Sequence, residues 1–394
     1  MPTEPALYQV IMMGSLDERA TRVRDLVQER VRDLGLPADT IKFVPEATPE
    51  DLNSRLPAIG IFFGYAGVNA GAHPLVDKLV EDSSTIISAV SSLKAVKDEI
   101  PEPLRHINAI ELVAPDLNFD RVASLVLESF RLLRRERRLF ISYKRDDSQA
   151  VADQLYDALD ARGFDVFIDT RSVPPAVDFQ EELWHRLSDS DVVILIDTPG
   201  FRSSRWTTEE LARANATNIQ ILHLLWPGQV EDAASAFSYF HFLEDREFSS
   251  RNADGSPLGL SDSAVDRICR HAEQLRARAI AARYRYLVDS FCDAARDQGL
   301  PVNVQPQRWI SVDLPSGKQL AAVPTIGTPT SDRINAVFNA ISAANGGSGG
   351  TWALYDGRGM LGSWLSHLSW LDEYLPVKSV SMARADQALK DSVR

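Results

Sequence analysis

One carboxylate in this sequence is well placed to do chemistry. Glu210 lies four residues after Trp206 and directly before Leu211. A carboxylate in a partly dry crevice stabilises positive charge that develops on a reacting group, because electrostatic interactions strengthen when water is excluded. The competing interpretation is an exposed acid in the first turn of a helix, where the helix dipole favours acidic residues. The neighbouring Glu209 is expected to face away from the crevice.

The elements around Glu210 indicate which other residues lie near it. Four apolar runs are typical of strands: residues 139–143, 166–169, 192–196 and 219–225. Helical periodicity fills the segments between them: residues 148–162, 178–188 and 207–216. Such alternation predicts a parallel α/β sheet, which gathers ligands at the carboxyl ends of its strands. The loops at residues 142–146, 169–179 and 199–210 are therefore expected to converge on one crevice.

The order of these motifs resembles a Toll/interleukin-1 receptor (TIR) domain. Phe140-Ile141-Ser142-Tyr143, followed by Lys144-Arg145, is similar to the first TIR box. Residues 163–169 look like the second strand of the family, which leads into its BB loop, here residues 170–179. That loop usually carries a glycine, whereas this chain has Pro174-Pro175-Ala176. The resemblance implies a flavodoxin-like parallel-sheet domain at residues 136–250.

The resemblance also implies a reaction. In catalytic TIR domains a Trp-x-x-x-Glu-Leu segment supplies the essential carboxylate, and Trp206, Glu210 and Leu211 match that spacing. Ordinary glycosidases need two carboxylates, because an alcohol leaves poorly unless an acid protonates it. The nicotinamide of NAD+ is already cationic and leaves as a neutral molecule, so one carboxylate beside the ribose suffices. Glu210 is thus the predicted catalytic residue, with NAD+ as substrate, no separate cofactor and no metal.

Other substrate-binding candidates come from the same loops: Ser142, Tyr143, Lys144, Arg145, Asp169, Arg171, Phe179 and Trp206. Lys144 and Arg145 either meet the pyrophosphate, for which arginine is the better bidentate partner, or are solvated loop charges. Tyr143 either lines the nicotinamide side or packs beneath the loop. Trp206 is expected to anchor the glutamate helix by burial. Asp169 is expected to orient the BB loop through backbone hydrogen bonds.

Flanking domains are predicted on both sides. Residues 1–135 alternate strands with helices, which predicts an α/β domain with a parallel sheet. Residues 100–112 resemble the tail of bacterial TIR-like domains. This domain lacks the Phe-Ile-Ser-Tyr box and the tryptophan-linked glutamate, so we expect a non-catalytic relative. Residues 260–394 are predicted to form a helical connector, at 261–298, and a C-terminal α/β domain that acts as a sensor or assembly module.

Composition excludes some partners. The formal net charge is −13, and an acidic field repels nucleic-acid phosphates, so general nucleic-acid binding is not expected. A run of arginines is interpreted as the solvated end of a helix that begins near Asn118: Arg131, Arg134, Arg135, Arg137 and Arg138. The cysteines Cys269 and Cys292 cannot make a disulfide framework, which fits reduced thiols in a cytoplasmic protein. No apolar run approaches the roughly 18 residues that span a bilayer, so no membrane partner is expected.

Three functions remain open. The first is an NAD+ glycohydrolase that is active as a homo-oligomer, because the family implies a pocket completed by a neighbouring protomer through the BB loop. In a bacterial cell, NAD+ depletion would then serve phage defence, by analogy. The second is a TIR enzyme that makes a cyclic ADP-ribose-type messenger. The third is a non-enzymatic TIR scaffold, against which the Trp206 to Glu210 spacing argues. The sequence does not identify the trigger ligand or a partner protein.

Overall fold

Three five-stranded sheets and a two-stranded hairpin organise the described part of the chain. The computed structural model describes residues 6–45, 48–53, 56–70, 72–113, 118–168, 179–201, 217–231, 238–252, 257–344 and 346–393. The chain divides into two units. The first comprises residues 1–135 and 266–277, and the second comprises residues 136–265 and 278–394. The three domain ranges expected from the sequence stay a prediction.

The first unit contains a parallel sheet with the strand order β2-β1-β3-β4-β5. Its strands are β1 (Tyr8–Gly14), β2 (Ile41–Pro45), β3 (Ala58–Phe63), β4 (Ile86–Val90) and β5 (Ile110–Glu111). Its helices are α1 (Glu18–Asp33), α2 (Pro74–Glu81), α3 (Val96–Glu99) and α4 (Asn118–Ser129). The predicted parallel α/β architecture of this region is confirmed.

A tight turn joins β1 to α1. Gly14 has a φ of +83°, and a Cβ atom there would lie 2.1 Å from the carbonyl oxygen of Phe63. The amide of Ser15 donates to that same oxygen at 2.8 Å. Asp17 then caps α1 by accepting from the amide of Arg19 at 2.9 Å. Only glycine combines this backbone conformation with so close an approach.

The interpretation of the arginine run as a solvated helix end is wrong for Arg137 and Arg138, whereas Arg131 and Arg135 are exposed. Helix α4 ends at Ser129, and Arg131 adopts a left-handed φ of +57°, which turns the chain away from the helix. Arg137 is buried, with its guanidinium 4.6 Å from the centre of the Phe164 ring. Arg138 begins the next strand and forms an ion pair with Asp189. The last two arginines are therefore structural residues of the second unit.

The second unit contains a parallel sheet with the strand order β10-β9-β8-β6-β7. Its strands are β6 (Arg138–Ser142), β7 (Asp165–Ile168), β8 (Val192–Asp197), β9 (Gln220–Leu225) and β10 (Tyr239–Phe242). Helices α5 (Arg145–Asp160) and α6 (Phe179–Asp189) connect β6 to β7 and precede β8. Every residue of β8 is buried, as expected of a central strand. The predicted flavodoxin-like sheet is confirmed, and the helix predicted at residues 207–216 lies outside the described residues.

A hairpin and a long helix follow this sheet. The hairpin strands are β11 (Phe248–Arg251) and β12 (Pro257–Leu260), and the Gln154 side chain on α5 both donates to and accepts from the backbone of Leu260. Helix α7 (Asp262–Asp297) confirms the predicted connector, with Ser261 as its N-cap. Residues 266–277 of α7 belong to the first unit, where Arg276 is fully buried and pairs with Glu128 at 3.1 Å.

The C-terminal sheet is mixed, with β13, β14 and β15 antiparallel and β15, β16 and β17 parallel. Its strands are β13 (Val302–Val304), β14 (Ile310–Asp313), β15 (Gln319–Pro324), β16 (Thr351–Tyr355) and β17 (Val377–Ser381). Its helices are α8 (Ser331–Ala343), α9 (Gly362–Tyr374) and α10 (Ala385–Val393). Within the described residues, no helix has both the length and the apolar character to cross a membrane.

Candidate functional site

The loops that follow β6 and β8 meet at the carboxyl edge of the central sheet. The Thr198 hydroxyl donates to Oδ2 of Asp147 at 2.9 Å, and the Lys144 Nζ lies 3.4 Å from the same oxygen. Thr198 is buried, whereas Lys144 and Asp147 are partly exposed at the edge. The predicted convergence is confirmed for residues 142–146 and 199–201, whereas residues 202–210 lie outside the described structure. The third loop, residues 169–178, lies outside the described residues.

Gly200 allows the loop after β8 to lie on this polar pair. A Cβ atom at Gly200 would lie 2.4 Å from both Oδ2 of Asp147 and Nζ of Lys144. Any larger residue would displace one of these side chains. The amide of Phe201 donates to the Thr198 carbonyl at 2.9 Å, which fixes the turn. The chain thus leaves the sheet close to the charged pair, shortly before the segment that carries Trp206 and Glu210.

The start of α5 concentrates charge at this edge. Asp146 and Asp147 occupy its first turn, where carboxylates interact favourably with the helix dipole. Ser148 has a non-helical backbone, with φ −145° and ψ 22°, and its hydroxyl donates to the Lys144 carbonyl at 3.3 Å. The kink separates the first turn from the rest of the helix. Arg145 is exposed at this edge.

The predicted substrate-binding residues fall into two groups. Ser142 and Tyr143 are buried, and Tyr143 is 8% exposed, which favours packing beneath the loop over contact with a ligand. Glu210, Trp206, Asp169 and Arg171 lie outside the described residues. Phe179 begins α6, but its side chain lies outside the described part of the structure. The roles of all these residues stay predictions.

A buried histidine and aspartate pair lies next to this edge and was missed from the sequence. His223 Nε2 and Asp197 Oδ2 are 2.9 Å apart, and both side chains are less than 5% exposed. The second atoms of the pair, Asp197 Oδ1 and His223 Nδ1, have no hydrogen-bond partner among the described residues. Asp197 directly precedes Thr198. The signal in the sequence was an acid at the end of one apolar strand and a histidine inside the next.

Asp189, at the end of α6, joins the central sheet to the C-terminal region. Its carboxylate pairs with Arg138, accepts from the Thr328 amide at 2.9 Å and lies 3.7 Å from Nη1 of Arg333. Arg333 also pairs with Glu136 at 3.1 Å. Nearby, Arg283 of α7 donates to the carbonyls of Ser188 and Ser190 and so satisfies the end of α6. Charged side chains thus tie the C-terminal region to the amino edge of the central sheet.

Comparison with known proteins identifies the central sheet. Residues 139–254 match the TIR domain family. No curated protein matches the chain.

Three solved structures show similarity over most of their length. A metazoan TIR-STING receptor from C. gigas is 16% identical, with 65% of this chain and 95% of that chain covered and a TM-score of 0.25. The mussel byssus proximal thread matrix protein 1 is 13% identical, with 69% and 96% covered and a TM-score of 0.23. The C-terminal domain of glucosamine-fructose-6-phosphate aminotransferase from Francisella tularensis is 8% identical, with 70% and 84% covered and a TM-score of 0.21.

Proposed function

Because the chain contains a TIR domain at residues 139–254, we propose that it is an NAD+ glycohydrolase that breaks the nicotinamide–ribose bond with Glu210. One observation in the structure carries the proposal. The hydrogen bond from Thr198 to Asp147 brings the loops after β6 and β8 together at the carboxyl edge, where α/β sheets bind ligands. The Trp206 to Glu210 segment continues directly from the second of these loops.

The proposed reaction balances with one protein carboxylate and one water molecule. The bond between the nicotinamide nitrogen and the ribose C1′ breaks, and its electron pair leaves with nicotinamide, which becomes neutral. The Glu210 carboxylate stabilises the positive charge left on the ribose. Water then bonds to C1′ and releases its proton, which yields ADP-ribose. If a hydroxyl or ring nitrogen of the ADP-ribose itself attacks C1′ instead, the product is cyclic.

Lys144 and Arg145 lie in different electrostatic surroundings at this edge. The Lys144 ammonium already faces Asp147, whereas Arg145 is exposed in the same turn. A pyrophosphate would compete with Asp147 for Lys144 but would meet the Arg145 guanidinium without that competition. A planar guanidinium also matches two phosphate oxygens at once. Arg145 is therefore the proposed pyrophosphate ligand.

Activity is proposed to require assembly through TIR–TIR contacts. TIR domains commonly self-associate, and a pocket completed by a second protomer would switch on only in the oligomer. Nicotinamide release per molecule should then rise with protein concentration. In a bacterial host, the consequence proposed for the cell is NAD+ loss on infection and abortive defence against phage.

Adjacent glutamates provide the decisive experiment. Purified Glu210→Gln and Glu209→Gln should be incubated with NAD+ over a range of protein concentrations, and nicotinamide and the ribose product separated by chromatography. Glu210→Gln is expected to lose at least 100-fold in rate, because removal of one electrostatic stabiliser costs about 10² to 10³ in kcat. Glu209→Gln should stay within about threefold of the parent chain, well inside the tenfold that 1.4 kcal/mol represents. Equal activity of all three proteins would refute the role of Glu210, and a parent chain that self-associates without releasing nicotinamide would identify a scaffold.

A further inference from the structure

A cavity of about 350 Å³ lies at the opposite edge of the TIR sheet from the proposed NAD+ site. One wall is the last part of α6, with Trp184 and Leu187, and another is the approach to β9, with Ile219. These residues precede β8 and β9, so the cavity sits at the amino ends of the strands. Its volume lies at the lower end of the range for ligand pockets, about 300 to 1,000 Å³.

The C-terminal domain forms one side of the cavity. Arg358 and Gly359, in the loop after β16, form part of its lining. Gly359 has a φ of +78°, and a Cβ atom there would lie 3.1 Å from the Cβ of Ser188 on α6. The glycine therefore lets the loop lie directly against the helix. An occupant of the cavity would contact the TIR domain and the C-terminal domain at the same time.

The lining is mostly apolar, although Ser188 and Thr217 also contribute to it, and it favours an apolar, planar occupant. Leu187 and Ile219 are almost fully buried side chains of the TIR core, and Trp184 packs against the same cluster. Apolar cavities hold water poorly and take up small aromatic molecules instead. The indole of Trp184 also offers a surface on which a second ring packs favourably.

The one charged side chain in the described lining is already neutralised. Arg358 donates from Nε to Asp356 at 2.9 Å and from Nη2 at 2.5 Å, so the carboxylate occupies one edge of its guanidinium. The guanidinium carbon also lies 4.8 Å from the centre of the Tyr286 ring. An anionic ligand would have to compete with Asp356 for this cation. A neutral aromatic ligand requires no such exchange and still gains from the flat cation beside it.

We propose that this cavity, walled by Trp184, Leu187, Ile219 and Arg358, binds an uncharged aromatic molecule of one or two fused rings. This site is separate from the proposed NAD+ site and does not depend on NAD+ cleavage. Because both domains line it, an occupied cavity stabilises their packed arrangement by mass action. It is a site at which a small molecule would act on the TIR domain from the C-terminal side.

Indole and indole-3-carboxylate are suitable probes, because they share a ring system and differ in charge. Binding to the full chain should be measured by ligand-observed NMR and calorimetry, and located in the unmodified chain by hydrogen exchange. Indole should bind saturably, with a dissociation constant of about 1 mM or tighter, which is a modest affinity for a small ligand. Indole-3-carboxylate should bind at least tenfold more weakly. Indole should protect amides in residues 184–188 and 357–360.

Two variants and a control test the position of the site. Ile219→Trp fills the cavity, and Trp184→Leu removes its aromatic wall while keeping an apolar side chain; each should weaken indole binding at least tenfold. Val304→Trp introduces the same side chain at a position that is 50% exposed and outside the lining, and should bind indole as the parent chain does. Absence of saturable indole binding, or protection confined to other segments, would overturn the site whether or not the variants fold. Equal or tighter binding of the carboxylate would overturn the ligand class.

Discussion

Asp189→Ala is the substitution that tests most directly how the TIR domain is held to the C-terminal region. The Asp189 side chain is 2% exposed and serves Arg138, Arg333 and the Thr328 amide. Removal of one partner of a buried ion pair costs about 3–5 kcal/mol, because the remaining charge stays buried and unpaired. Here both arginines keep another acid: Glu136 lies 3.1 Å from Arg333, and Asp165 lies 3.6 Å from Arg138. We therefore expect the low end of that range, about 3 kcal/mol.

Two further variants separate charge from hydrogen bonding. Asp189→Asn keeps an acceptor for the Thr328 amide but loses the charge, and should cost about 1–2 kcal/mol. Asp165→Ala removes an acid from the same Arg138, but that acid is 71% exposed, so its loss should cost less than about 0.5 kcal/mol. The three variants thus form a graded series on one arginine network.

Urea unfolding followed by circular dichroism measures the free energy of unfolding. Because chains with several domains need not unfold in one step, hydrogen exchange at residues 326–328 should accompany it. Asp189→Ala should accelerate exchange of the Thr328 amide, and Asp165→Ala should leave it unchanged. If Asp189→Ala unfolds at the same urea concentration as Asp165→Ala, the buried carboxylate does not stabilise the junction and the reasoning fails.

Three other predictions concern separate parts of the molecule. Thermal melts of two glycine variants separate a conformational cost from a steric one. Gly14→Ala should destabilise the first unit by more than the approximately 1–2 kcal/mol that a left-handed alanine costs, because its Cβ would also lie against the Phe63 carbonyl. Gly35→Ala, with a φ of +71° and no atom near its Cβ position, should show only the conformational cost. Arg145→Ala should raise KM for NAD+ about tenfold, the equivalent of 1.4 kcal/mol, and Lys144→Ala should change it less; equal effects would contradict the proposed division of the two cations. Burial raises the pKa of the Cys292 thiol, so the thiol stays protonated at neutral pH and should react slowly with a thiol reagent until urea is added. As the pH rises through the ordinary thiol range, the unfolded chain loses this proton before the folded chain does. The stability that the neutral thiol contributes should therefore fall as the pH rises through that range.

Patterns of apolar residues predicted most of the central sheet. The runs at residues 139–143 and 192–196 correspond to β6 and β8, because a strand buried on both faces leaves a continuous apolar signal. Strand β10 was missed, since His241 interrupts its apolar residues and Tyr239 and Phe242 at its two ends are exposed. The bounds of α7 were predicted closely, as 261–298, because Ser261 at its start and Gly299 after its end have local conformational preferences that act without tertiary contacts.

Residues whose roles depend on distant partners could not be predicted in this way. Arg137 and Arg138 looked like part of a solvated basic run, yet one packs on Phe164 and the other pairs with Asp189, a residue 51 positions away. The same holds for Asp197 and His223, which stand 26 positions apart and meet because β8 and β9 are neighbours. The sequence pattern around a charged residue does not identify the distant residue with which it pairs in the fold.

The two edges of the TIR sheet have different chemistry, and within the described residues only one of them joins the C-terminal domain. The carboxyl edge is polar, with Lys144, Asp147 and Thr198 in contact beside the segment that leads to Glu210. The amino edge joins the C-terminal domain through Asp189 and the apolar cavity. Helix α6 ends at Asp189, shortly before β8, and so at the amino edge. Contacts of the C-terminal region with the TIR sheet are therefore made at the end of α6 that lies away from the Lys144, Asp147 and Thr198 cluster.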